Sequence, residues 1–93
     1  MSALIAARAD VVCCPLADGM ALLDTRSSVY FTLNRVGAYV WGLLAKPMHR
    51  DDVEAAVLAN FNVEEPACRR DLADLFAAFE KEGLVQATDA EHS

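Results

Sequence analysis

Five side chains in this 93-residue chain carry the thiol or imidazole groups suited to metal binding, thiol redox or acid–base catalysis: Cys13, Cys14, Cys68, His49 and His92. Their spacing supports none of the three. Cys13 and Cys14 are neighbours in an apolar run, and neighbours on a strand point to opposite faces, so the pair cannot easily chelate one ion. No second Cys or His pair stands at metal-ligand spacing. The two read instead as buried or half-buried small apolar residues. His49 lies beside Arg50 in a loop and His92 lies in the tail, each without a local nucleophile or orienting partner. No Gly-rich phosphate loop is present. The expectation is a non-enzymatic chain that needs no metal and no cofactor.

The chemistry left is that of the backbone. Val29-Tyr30-Phe31-Thr32-Leu33 is rich in β-branched and aromatic residues, as strands are. Asn34 follows at once as a helix N-cap. Such a strand is expected to be the last of a small sheet, with one unpaired edge. Proteins either hide such an edge or use it. Period two puts Val29, Phe31 and Leu33 on the core-facing side and leaves Ser28, Tyr30 and Thr32 half-exposed on the other.

Two further strands position that edge. Val11-Val12-Cys13-Cys14 is of strand length and is limited by Pro15. Asp18-Gly19 signals a tight turn, and Met20 to Asp24 forms the next strand. Thr25 to Ser28 is a polar turn into Val29. Three short runs joined by short turns predict an antiparallel meander.

Three helices follow. Val36, Val40, Leu43 and Leu44 recur at helical spacing beside Tyr39 and Trp41, and Lys46-Pro47 ends that helix. Asp51 and Asp52 sit in the first turn of the second, where acids suit the dipole, and Val53, Val57, Leu58 and Phe61 make its stripe. Glu64-Glu65-Pro66 opens the third. Cys68, Leu72, Leu75, Phe76 and Phe79 follow at i, i+4, i+7, i+8 and i+11, the clearest amphipathic pattern in the chain. Gly83 is its C-cap, and Leu84-Val85 returns to the core. Strands first and helices after predict an α+β domain with the helices on one face of the sheet.

The whole chain is expected to be one domain. Its folded part runs over about residues 11–86, between a loose N-terminal arm and a frayed polar tail from Ala87. Apolar residues make up 55% of the chain, enough for a core and for some surface kept for a partner. The net charge of −6 argues against duplex nucleic acid and against an anionic membrane. No apolar run is long enough to span a bilayer. Nothing at the N-terminus reads as a signal peptide, and three cysteines make no closed disulfide set. A cytoplasmic protein with reduced thiols is expected.

The third helix is apolar over a wide arc. One part of that arc serves the core, and another can wall a groove beside the third strand. Arg69, Arg70, Asp71 and Asp74 form its solvated face or the polar rim of such a groove. A helix-turn-helix reading of helices two and three meets an obstacle: Arg69, Arg70 and Lys81 are outnumbered by Asp71, Asp74, Glu80 and Glu82, a poor match to DNA.

The chain resembles the PqqD-like family. The residues that carry the likeness are Asp18-Gly19 with Leu22-Leu23-Asp24, then Tyr30-Phe31-Thr32-Leu33-Asn34, Gly37 and Trp41. Phe61-Asn62-Val63, Asp71-Leu72 and Phe79-Glu80-Lys81-Glu82-Gly83-Leu84-Val85 complete it. The second helix departs from the family pattern, with His49-Arg50 where Thr or Ser often stands. The resemblance implies a winged helix-turn-helix-like fold, a three-stranded antiparallel sheet followed by three helices. It implies a non-catalytic peptide chaperone for ribosomally made, modified peptides. The leader of the precursor would add as a fourth strand along Val29, Tyr30, Phe31, Thr32 and Leu33. It would lie against Cys68, Arg69, Asp71, Leu72, Leu75, Phe76 and Phe79, with Phe76, Leu72 and Tyr30 as anchor pockets. The short free-standing form looks most like the recognition proteins of lasso-peptide pathways, whose partners are a leader peptidase and an ATP-dependent ring-closing enzyme. The alternatives are a PqqD-type partner of a radical SAM peptide-modifying enzyme and a winged-helix DNA-binding regulator. Self-pairing of the edge strand in a homodimer is a further use of the same backbone.

Overall fold

A computed structural model describes residues 3–89 of the chain. In chain order the elements are β1 (Ala3–Ala7), β2 (Val11–Leu16), β3 (Gly19–Asp24), β4 (Val29–Leu33), α1 (Arg35–Leu43), α2 (Arg50–Asn60), α3 (Glu65–Lys81) and β5 (Val85–Asp89). The expected meander is present: β2, β3 and β4 form an antiparallel sheet in that order, with Leu22 opposite Cys13 on one side and Phe31 on the other. Three helices follow it, so the α+β class and the three-stranded sheet stand as read from the sequence.

Alternation decides which sheet face is covered. Leu22 and Leu33 point inward and are buried, and Phe31 and Met20 pack against the same core. That core is closed from the helices by Val40, Trp41, Leu44, Val53, Val57, Leu72, Phe76 and Phe79. Phe79 is its aromatic centre. Its ring centroid lies 5.4 Å from Trp41, 6.0 Å from Phe31 and 6.2 Å from Phe76, in tilted or edge-on contacts of the favoured kind.

The helix signals are those of the sequence. The Asn34 side chain accepts the Gly37 N–H at 2.8 Å and caps α1. His49 stands at the N-cap of α2 and gives no side-chain cap. Gly83 has φ +69°, the left-handed conformation that ends α3. α1 stops at Leu43, short of Pro47.

A clamp ties the β3–β4 turn to the end of α3. The Arg26 guanidinium donates to the buried Asp24 carboxylate at 3.3 Å and to the Gly83 carbonyl at 3.0 Å, and pairs with Asp10 at 3.2 Å. The Arg26 backbone N–H and then its guanidinium hold the Asp24 carboxyl below the usual carboxylate range, against the opposite pull of burial.

Two expectations are corrected. The loose N-terminal arm is in large part a strand: β1 pairs with β5, Ile5 opposite Ala87, and Ile5 exchanges two backbone hydrogen bonds with Met48 at 2.8 and 3.0 Å. Ile5 is buried at 4% exposure. The frayed tail is likewise strand as far as Asp89; Met1, Ser2 and residues 90–93 lie outside the described residues. Ala-rich sequence has little strand propensity, so only the distant partners make these residues pair. The second correction concerns Cys13 and Cys14, which are both exposed. β2 is the outer strand of the hairpin, and all its residues from Val12 to Leu16 stay exposed.

Candidate functional site

β4 pairs with β3 alone among the described residues, so its far side carries unpaired backbone groups. Val29 is 39% exposed and Tyr30 72%, with Thr32 exposed beside them. Phe31 is half-buried against Phe79, and Leu33 is buried. Phe31 and Leu33 hold the strand on the core and Tyr30 and Thr32 take the open face, as alternation requires; Val29 shares the face of Phe31 and Leu33 but is exposed, a correction to its expected place in the core, because it stands at the start of the strand.

At the C-terminal end of β4 the chain enters α1 directly, and a cleft of about 170 Å³ opens between this junction and α3. Asn34, Val36 and Gly37 form one wall. Cys68, Asp71, Leu72 and Leu75 form the opposite wall, with Val57 and Val63 between. The close approach of strand and helix depends on glycine. A Cβ at Gly37 would lie 3.1 Å and 3.2 Å from Leu33 side-chain carbons, and one at Gly19 would overlap the Leu33 carbonyl oxygen. The cleft volume is close to the ~150 Å³ cavity that accommodates a benzene-sized ligand, so it fits about one side chain.

Four of the seven residues expected from α3 come together here: Cys68, Asp71, Leu72 and Leu75. Three do not. Phe79 is fully buried and Phe76 is 1% exposed, so both are spent on the core. The outer side of the Phe76 ring carries the Arg50 guanidinium, 4.7 Å from its centroid, and faces a separate polar hollow between α2 and α3. Arg69 lines that hollow too, held by Glu54 at 3.1 Å and Glu65 at 2.9 Å. At 100° per residue the stripe spans about 100° of arc. The division runs along the helix: Cys68, Leu72 and Leu75 toward its N-terminal part line the cleft, and Phe76 and Phe79 further along do not.

Asn34, Val36, Gly37, Val57 and Val63 were not anticipated as site residues. A signal for two of them was present: Asn34 connects strand and helix without a loop, so the first helical turn must lie beside the strand end. Val63 is an apolar residue 39% exposed, between Asn62 and Glu64.

The cleft offers packing and hydrogen bonding rather than bond-making chemistry. Burial pushes the Cys68 thiol up, and the nearby carboxylates of Glu54, Asp71 and Glu65 push it further, so it stays protonated and weakly nucleophilic. His49 is remote from the cleft lining, and its Nδ1 is buried without a partner. Among the described residues no group of three or more His, Cys, Asp or Glu side chains could hold a metal ion, and no helix is long and apolar enough to cross a membrane.

A family model described as coenzyme PQQ synthesis protein D (PqqD) matches residues 19–85. Two solved structures are similar over most of the chain. TbiB1 in complex with the TbiA(beta) leader peptide is 28% identical with a TM-score of 0.76, over 87% of this chain and 94% of that one. A lasso peptide synthetase B1 complexed with the leader peptide is 27% identical with a TM-score of 0.73, over 88% of this chain and 96% of that one. No curated protein matches.

Proposed function

The chain belongs to the PqqD family, and from that premise we propose that it is a non-catalytic recognition domain that binds the leader segment of a ribosomally made precursor peptide. The observation that carries the reading is the unpaired β4 edge running up to an apolar cleft on α3. The two similar structures, each described with a leader peptide bound, support it.

The leader pairs its backbone with β4 as a fourth strand, which gives affinity with little regard to sequence. Alternate side chains then fall on the cleft side, where Leu72, Leu75 and Cys68 receive an apolar anchor. Val29, Tyr30 and Thr32 flank the added strand. A free leader is disordered, and burying such anchors must offset the entropy of ordering it. Phe31, Leu33, Phe76 and Phe79 serve by holding the strand and α3 in place, and Arg69 by fixing α3 to α2.

In this reading the domain hands its peptide to a second, catalytic protein in the cytoplasm, a lasso-pathway leader peptidase. Titration of a fluorescent synthetic leader, taken from the precursor gene beside this one, tests the core of the proposal. Saturable binding at low micromolar concentration or tighter is expected. No binding at up to ten times that range would sink it.

A further inference from the structure

The cleft wall is mostly apolar, with the Asn34 amide and two ionisable side chains, and these two differ. The Cys68 thiol is neutral, as above. Asp71 carries a carboxyl group exposed at the rim, without any ion pair or side-chain hydrogen bond among the described residues. No Lys or Arg forms an ion pair with it among the described residues, neither Arg70 beside it in sequence nor Arg35 between the wall residues Asn34 and Val36. Arg69 is committed to Glu54 and Glu65 on the far side of α3, and Arg26 to Asp10, Asp24 and Gly83. In the opposite wall the Gly37 N–H is already taken by the Asn34 side chain. An unmatched carboxylate therefore overlooks a slot with room for about one apolar side chain. Apolar walls lower the local dielectric, so a charge brought to this rim is felt more strongly than on open surface.

Strand geometry limits where a matching charge can sit. On an added strand, residues i and i+2 share a face and lie about 6.6–6.8 Å apart along the chain. With residue i filling the slot, residue i+2 or i−2 is the one on the same side, within reach of a rim carboxylate for a long flexible side chain. Lys and Arg suit this position, since their stems lie along apolar surface and their heads stay in water.

We infer that Asp71 sets the peptide specificity of the cleft: it pairs with a Lys or Arg two residues from the apolar side chain that fills the slot. The favoured peptides then carry an apolar–x–basic or basic–x–apolar triplet. This rests on the peptide-binding reading of the β4 edge.

A double-mutant cycle separates the two. The same fluorescent leader is made with its basic residue kept or changed to Gln, and each is titrated against the wild-type chain and Asp71→Asn, with circular dichroism confirming the fold. The variant should bind the basic leader about fivefold more weakly and the Gln leader less than twofold more weakly, a coupling typical of a rim ion pair. The difference should shrink in 0.5 M salt. Asp71→Lys should in turn prefer a leader with Glu at that position. Equal losses for both leaders, or wild-type binding of the Gln leader as tight as that of the basic leader, would overturn the inference and leave the peptide-binding reading standing. Failure of every leader on the wild-type chain overturns both.

Discussion

β2 and β4 are the two outer strands of one sheet, and each turns a row of backbone N–H and C=O groups away from β3. They differ in what lies beside them. β2 contains Pro15, which lacks an N–H, and its residues from Val12 to Leu16 are exposed on both faces. β4 is packed through Phe31 and Leu33 onto the aromatic core, and its end meets a cleft walled by α1 and α3. On the proposed function, the contrast separates a free edge from a docking rail. Backbone pairing is nearly indifferent to sequence, so a useful edge also needs a rigid backing and a side-chain pocket.

That contrast can be broken at its strongest point by truncating one residue on each edge. Leu33→Ala removes a buried side chain and should cost about 2–4 kcal/mol of stability, while Val12→Ala, at a site 54% exposed, should stay within about 0.5 kcal/mol. Urea unfolding of the two variants measures it. Equal losses would mean that β2 is as firmly backed as β4. A smaller effect is expected on binding. Leu75→Asp puts a charge into the cleft from a half-buried position and should weaken leader binding by more than tenfold with the fold retained, whereas Cys14→Asp should change it less than twofold. The reverse ranking in a fluorescence titration would assign the peptide to the β2 edge.

The smallest effect concerns the cysteines. With a thiol reagent at pH 8, Cys13 and Cys14 should be modified in the native chain and Cys68 only on unfolding, because burial and nearby carboxylates keep its thiol protonated. Saturating leader should leave the rates of Cys13 and Cys14 unchanged. Protection of either would show that the peptide, or a second copy of the chain, covers β2.

The β2–β3–β4 meander, the Asn34 cap and the long amphipathic α3 were legible because each is written in a few adjacent residues: a turn pair, a capping side chain, a period of two or 3.6. The PqqD likeness followed from residues spread across the same elements. Asp71 was in the expected set through the PqqD-like resemblance, and its place near the start of the third helix made it a candidate for a groove rim. The anchor choice was only partly legible. Leu72 and Leu75 line the cleft and Phe76 does not, although Leu72 and Phe76 are both buried core members of the same hydrophobic stripe. Periodicity reports that a face is apolar. It does not report which neighbour covers each part of that face.

By itself the sequence determined the local elements, their order, the charge balance and the presence of a strand that ends at a helix cap. Tertiary structure alone decided the rest. It paired β1 with β5, whose residues stand about 80 positions apart and have weak propensities of their own. It left Cys13 and Cys14 in solvent, because the core is centred under β3 and β4. It also divided α3 between core and cleft. The reason is common to all three: propensity and periodicity act over a few residues, whereas burial depends on which distant segment arrives opposite them.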